Sequence, residues 1–256
     1  MTVELLAAPA DTVLGKVRLI LEAFEPDEQA LSLAELTRRT GVPKASVYRI
    51  SQELVAWGAL ERYGCGYRLG LRLFELGQLV PRQRVLRELA HPYLEELARA
   101  TAETAHCAVR DGHEVLYVEK LGGYRLVARP SRTGGRMPLH CTATGKVLLA
   151  FAPARVAEAV LAVPLERRTP RTVVAPGLLR AELAAVRTAG HALESEQTRL
   201  GYLSVAAPVT DAGLRVCAAV SVAAPTARAQ PSRLVPMVRE AASRISAKLR
   251  ESDWRG

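Results

Sequence analysis

Between Ser32 and Gly58 the chain is punctuated so closely that few local architectures fit. The Ser32 hydroxyl can accept from the Glu35 N–H while the Glu35 carboxylate reaches back to Ser32, so "SLAE" is a capping box that starts a helix. Leu33 and Leu36 begin its apolar face. Gly41 ends it, because glycine tolerates the positive φ of a helix stop. Pro43 then stands where a helix needs no N–H and opens "PKASVYRISQELVAWG". Val47, Ile50 and Leu54 share one stripe of that segment. Lys44, Ser46, Tyr48, Arg49 and Gln52 lie off the stripe, and they are the types that donate to phosphates or base edges. Helix, glycine turn and helix make a helix-turn-helix.

The flanks extend this unit. Upstream, Val13, Val17, Ile20, Leu21 and Phe24 recur at helical spacing, with Asp11 or Thr12 as cap and Pro26 as stop. Downstream, "ALERYGCGYRLG" alternates around Gly64-Cys65-Gly66, the pattern of a short β-hairpin. Arg62 and Arg68 on such a wing would lie beside the minor groove or the DNA backbone when the preceding helix enters the major groove. Charge follows the same division. Residues 1–35 hold two basic and seven acidic side chains, whereas residues 36–75 hold seven basic and three acidic ones. The alternative is a small helical domain whose basic side chains are only solvated. Ser32 and Arg38 on the preceding helix complete the set of candidate DNA contacts.

Composition excludes other classes. With 256 residues, 49% of them hydrophobic, the chain can bury a real core in one or two domains. It shows neither an apolar run long enough for a membrane helix nor a leader pattern, so a cytoplasmic location is expected. Cys65, Cys107, Cys141 and Cys217 lack C-x-x-C spacing and read as reduced thiols, with no metal and no cofactor implied. "TATGK" is not a phosphate loop, because His140 stands in the place of its first glycine and Val147 in that of its Ser/Thr. His140 and Cys141, adjacent in sequence, point apart and lack a third group, which speaks against a Cys/His hydrolase.

The stretch from "GVPKASVYRISQELVAWGALER" to "YRLGLRLFELG" resembles the IclR family of bacterial transcription regulators. The resemblance continues through "GGRMPLHCTATGKVLLA" and "GHALESEQTRLGYLSVAAPV", covering about residues 12 to 250. It implies an α+β protein: a winged helix-turn-helix DNA-binding domain (10–70), a linker helix (71–83) and a GAF-like effector-binding domain with an antiparallel sheet (84–252). Leu73, Leu76, Leu79 and Val80 repeat at helical spacing before Pro81, and a second amphipathic run spans Val85 to Leu97. Pairing through the linker into a homodimer, or a dimer of dimers, would let two helices read two half-sites of operator DNA.

The second domain can also be read from its own pattern. "HCAVRDGHEVLYVEKL" and "YLSVAAPVTDAGLRVCAAVSVAAP" each alternate across an Asp- and Gly-containing turn, predicting antiparallel hairpins. Helical spacing marks Ala154 to Ala162, Leu178 to Ala189 and a final helix with Leu234, Met237, Ile245 and Leu249. In "GGRMPLHCTATGKVLLA" a glycine-rich loop runs into a helix whose first N–H groups, near Ala143 and Thr144, form an anion site. The resemblance implies a small organic, anionic effector there, with contacts at Met137, His140, Ala143, Thr144, Glu194, Tyr202, Ser204, Ser221 and Ala223. Where this chain has Ser204 the family often has cysteine, and where it has Ala223 a second serine, which favours a less polar or larger effector. Arg125, Arg129, Arg132 and Arg136 crowd the same loop and suggest attraction of an anion, or else a solvated loop or tetramer contact. Two other functions compete: a constitutive DNA-binding protein with a vestigial pocket, and a hydrolase-like enzyme with a docking domain.

Overall fold

The computed structural model describes residues 11–26, 28–122, 131–252 and 254. It divides into two compact units, residues 1–81 and 82–256.

In the first unit, α1 (Val13–Glu22) is capped by the Thr12 hydroxyl, which accepts from the Gly15 N–H at 3.0 Å. The capping box forms at α2 (Leu33–Thr40), where the Glu35 carboxylate accepts from the Ser32 N–H at 2.8 Å, and Gly41 closes the helix at φ 66°. α3 spans Lys44–Trp57 and stops at Gly58, φ 82°. Pro43 is one residue outside the helix rather than its first member: at ψ 136° it is extended, and its carbonyl accepts from the Val47 N–H at 3.0 Å. The hairpin of β2 (Leu60–Tyr63) and β3 (Gly66–Leu69) follows, then α4 (Leu71–Gln78).

One strand has no counterpart in the sequence reading. β1 (Leu31–Ser32) pairs antiparallel with β3, Leu31 opposite Tyr67 and Ser32 opposite Gly66. Two residues are too short for alternation to reveal them. A Cβ on Gly66 would lie 2.6 Å from the Leu31 carbonyl oxygen, so glycine permits the seam. Ile20, Leu36, Val47, Ile50, Leu54, Leu60 and Tyr67 fill the core beneath it.

The second unit is a three-layer sandwich. Its helices are α5 (Pro81–Thr101), α6 (Ala143–Ala150), α7 (Ala154–Leu161), α8 (Pro176–Ala189) and α9 (Pro231–Glu251). Its strands are β4 (Thr104–Asp111), β5 (Glu114–Leu121), β6 (Arg136–Pro138), β7 (Ala192–Ser195), β8 (Tyr202–Thr210) and β9 (Val216–Pro225). They form one antiparallel sheet in the order β6-β5-β4-β9-β8-β7. Side chains alternate across it. Ala105, Cys107, Val205, Val220 and Val222 face a core shared with Leu86, Leu94, Val238 and Ile245 of α5 and α9. Ala108, Ala192, Ala206 and Ala219 face the other core, with Val147, Leu179 and Leu183 of α6 and α8. No helix among the described residues is long and apolar enough to cross a membrane.

Gly66→Ala therefore forces Leu31 off β3 and costs about 1–3 kcal/mol in the N-terminal unit, the usual penalty of overpacking. Urea unfolding followed at Trp57 should show the lowered midpoint. An unchanged midpoint removes the claim that this close approach demands glycine.

Candidate functional site

The first unit presents α3 and the wing. Lys44, Tyr48 and Arg49 are exposed on α3, Ser46 is half-buried, and Arg38 is exposed on α2. Arg49 pairs with Glu53 one turn on at 3.0 Å, a surface ion pair worth little and easily exchanged for a phosphate. Three more of the expected contacts also have partners within the chain. Ser32 is engaged in its capping box, donating to Glu35 at 2.7 Å. Gln52 donates to the hydroxyl of the buried Tyr67 at 3.0 Å and so ties α3 to the wing. Arg68 pairs with Glu61 at 2.7 Å and lies 4.9 Å above the Tyr63 ring. Arg62 stacks over Tyr67 at 4.4 Å with its guanidinium exposed.

The second unit encloses a cavity of about 230 Å³ on the α6 side of the sheet. The strands supply its floor: His106 from β4, Tyr117 from β5, Ser221 and Ala223 from β9, Tyr202 and Ser204 from β8, Glu194 from β7. Register explains the grouping. Ala223 lies opposite Ser204 and Ser204 opposite Glu194, while His106 lies opposite Ser221. A β-bulge between Cys107 and Ala108 shifts β5 by one residue, which turns Tyr117 to the same face. Met137, Ser131, Arg168, Thr198 and Arg199 form the remaining wall with the start of α6.

That helix start is built with care. The Thr142 hydroxyl accepts from the Gly145 N–H at 3.0 Å and donates to the Pro138 carbonyl at 2.9 Å. A Cβ on Gly145 would overlap Leu139 and Thr142, so glycine lets α6 begin against its own loop. The Lys146 N–H is taken by the Thr142 carbonyl at 2.9 Å, leaving the N–H groups of Ala143 and Thr144, both residues of the cavity lining, without an intrahelical partner. Tyr117 Oη and Thr144 Oγ1 are 3.5 Å apart.

Electrostatics sort the polar groups. Burial lowers the His106 pKa to about 3, helped by the charge of Lys120, so the ring is neutral. Burial raises the Tyr117 hydroxyl to about 12, keeping it protonated. Burial also raises the Glu194 carboxyl, against the Thr198 and Gln197 N–H groups and the charge of Lys146. Lys146 is itself buried, 2.8 Å from Glu182.

Met137, Ala143, Thr144, Glu194, Tyr202, Ser204, Ser221 and Ala223 thus meet around one cavity. His140 does not join the lining; its Nε2 lies 2.9 Å from the Glu166 carbonyl. Of the arginine cluster, the two described members are engaged elsewhere. Arg136 binds Asp111 and, at 3.1 Å, Glu114, while Arg132 reaches the Thr133 carbonyl at 3.2 Å; neither lines the cavity. Arg125 and Arg129 fall outside the described residues. Among the described residues the cavity's cations are Arg168 and Arg199, the latter 4.7 Å above the Tyr202 ring; both sit in loops without periodicity to announce them. His106 was the legible omission, a polar residue alternating with the apolar Ala105 and Cys107.

A basic helix and wing on one unit, with a polar-floored small-molecule cavity on the other, define a ligand-responsive DNA-binding regulator. Comparison with known proteins is specific. Residues 13–64 match the IclR helix-turn-helix domain, and residues 79–247 match the bacterial transcriptional regulator IclR C-terminal domain. The HTH-type transcriptional regulator KdgR of Escherichia coli (strain K12) is 34% identical over 93% of this chain and 93% of its own length. XynR of the same organism is 34% identical over 84% of this chain and 86% of its own. An IclR homolog from Microbacterium hydrocarbonoxydans, complexed with 4-hydroxybenzoate, superposes with TM-score 0.88 at 35% identity, covering 94% of this chain and 100% of the other. The Thermotoga maritima IclR structure gives TM-score 0.78 at 29% identity over 93% and 98%. The chain belongs to the IclR family of bacterial transcriptional regulators. It is a DNA-binding transcription regulator with an effector-binding C-terminal domain.

The raised Glu194 pKa has a measurable sign. In the unfolded chain this carboxyl ionises near the ordinary 4.5, so wild type loses stability as pH rises from there through the raised value. Glu194→Gln keeps an oxygen for the two N–H groups and removes that loss. Its melting-temperature advantage over wild type grows through the interval and is constant above it. An advantage independent of pH contradicts the assignment.

Proposed function

We propose that this regulator binds operator DNA as a homodimer and that a small organic acid in the C-terminal cavity changes its operator affinity. The carrying observation is the start of a helix at Ala143 and Thr144, where the first N–H groups have no intrahelical partner, lining a cavity together with Arg168. The Microbacterium relative's 4-hydroxybenzoate supports an aromatic carboxylate as the probe to try first. Within this reading residues 10–70 bind DNA, 71–83 link and 84–252 sense. Lys44, Ser46, Tyr48 and Arg49 read bases or phosphates, and Arg38 and Arg62 hold the backbone.

Dimerisation is supported by apolar exposure on and after α4: Leu71, Phe74, Leu79 and Val80 are 70%, 63%, 68% and 47% exposed. A second copy of this segment would cover them and set the spacing of two recognition helices. An effector can alter that spacing only by binding the two arrangements with different affinity. A catalytic role for Cys141 has no support, because burial pushes its thiol up to about 12, away from a nucleophilic thiolate.

Arg49→Ala is expected to weaken binding to a selected operator duplex by about 1–3 kcal/mol if it makes a bidentate base contact. Fluorescence anisotropy at several salt concentrations reads this; equal binding by mutant and wild type excludes the role. Titrating 4-hydroxybenzoate into the wild-type complex should shift operator affinity. Bound acid without any shift favours a constitutive DNA binder.

A further inference from the structure

The segment "TATGK" places a lysine where solvent does not reach it. Lys146 is 1% exposed, in the first turn of α6, whose opening residues Ala143 and Thr144 line the effector cavity. Lys146 itself does not line it. Its Nζ lies 2.8 Å from Glu182 Oε2 on α8. Taking a lysine out of water is costly, and a buried ion pair commonly stabilises a fold no better than apolar side chains of the same volume. Stability alone therefore gives no reason for the pair.

The line of contacts continues past Glu182, whose other oxygen accepts from Gln197 Nε2 at 3.3 Å. Gln197 is buried in the turn after β7, and its main chain is held at both ends. Its N–H donates to Glu194 Oε1, and its carbonyl accepts from Thr172 Oγ1 at 2.7 Å. Glu194 before it and Thr198 and Arg199 after it all line the cavity. Lys146, Glu182 and Gln197 thus tie two parts of the lining together through α8, the α6 start and the 194–199 wall, and none of the three lines the cavity itself.

We propose that Lys146 is a positioning residue of the effector site: with Glu182 and Gln197 it fixes the spacing between the α6 start and the 194–199 wall, and so sets effector affinity without touching the effector. This rests on the organic-acid reading above. A small rigid acid that meets N–H groups on one element and side chains on another binds only as well as their separation is kept. A displacement of about 1 Å is enough to weaken it. The clamp works from behind the lining, so the cavity surface stays free for the ligand while its width is set by charges the ligand never meets.

The test measures 4-hydroxybenzoate binding to the full-length protein by isothermal titration. Lys146→Met/Glu182→Met keeps the volume and removes both charges, so neither is left buried alone. Gln197→Met leaves the ion pair and the main-chain bonds in place and cuts the joint to the wall. Each variant should bind at least about fivefold more weakly than wild type, while its ligand-free form still melts well above the titration temperature. The triple variant should bind about as weakly as either, because a clamp already open at one joint loses nothing more at the other. Affinity within about twofold of wild type in either variant overturns the assignment. So do losses that multiply in the triple variant, which mark two independent injuries rather than one device. Should the charge variant fail to fold, Gln197→Met decides alone, by a fivefold loss or none. Wild type that does not bind 4-hydroxybenzoate is a different failure: it overturns the aromatic-acid reading, and the clamp with it.

Discussion

The register of β4 against β9 is the constraint on which the sensing unit rests. Because side chains alternate with a period of two, pairing His106 with Ser221 and Cys107 with Val220 decides every other position on the two strands. One face then receives Ala105, Cys107, Val220 and Val222 and closes on α5 and α9. The opposite face receives His106, Ser221 and Ala223 and becomes the cavity floor. A slip of one residue would bury the polar set in an apolar core and aim the valines at the ligand. The cavity is thus the reverse side of a hydrophobic core, and stability and sensing share one registration.

Much of this was legible because the relevant signals are local. The capping box at Ser32, the stops at Gly41 and Gly58, and the Asp111-Gly112 turn each depend on two to four neighbouring residues, and each appears where the sequence places it. Ala143 and Thr144 were readable for the same reason, being the first turn of a helix after a glycine-rich loop. The unreadable features are those that depend on partners far along the chain. β1 exists only because β3 comes to meet it, and Tyr117 faces the cavity only because a bulge displaces β5. Arg168 and Arg199 were invisible because loops carry no period. Of the arginines that did stand out, Arg136 finds its partners in Asp111 and Glu114 across the hairpin edge.

The DNA-binding unit shows how little charge counting says about contact. Of the basic residues on the wing, Arg68 is held by Glu61 and Tyr63, whereas Arg62 stacks on Tyr67 and is exposed. On α3 the polar side chains divide in the same way, with Gln52 turned inward and Lys44, Tyr48 and Arg49 turned out. Candidates nominated by residue type therefore separate into those left outward, free to meet a duplex, and those that hold the surface in shape.

The bond from Gln52 to Tyr67 carries a wider meaning. With that tyrosine pinned on its other side by the Leu31 strand, recognition helix and hairpin form one stiff reading head. Such a head would meet its half of a site as one unit. In the proposed homodimer, latitude among targets would then lie in the distance between two heads, so that drift in the gap of a palindrome would be tolerated more readily than drift within either arm.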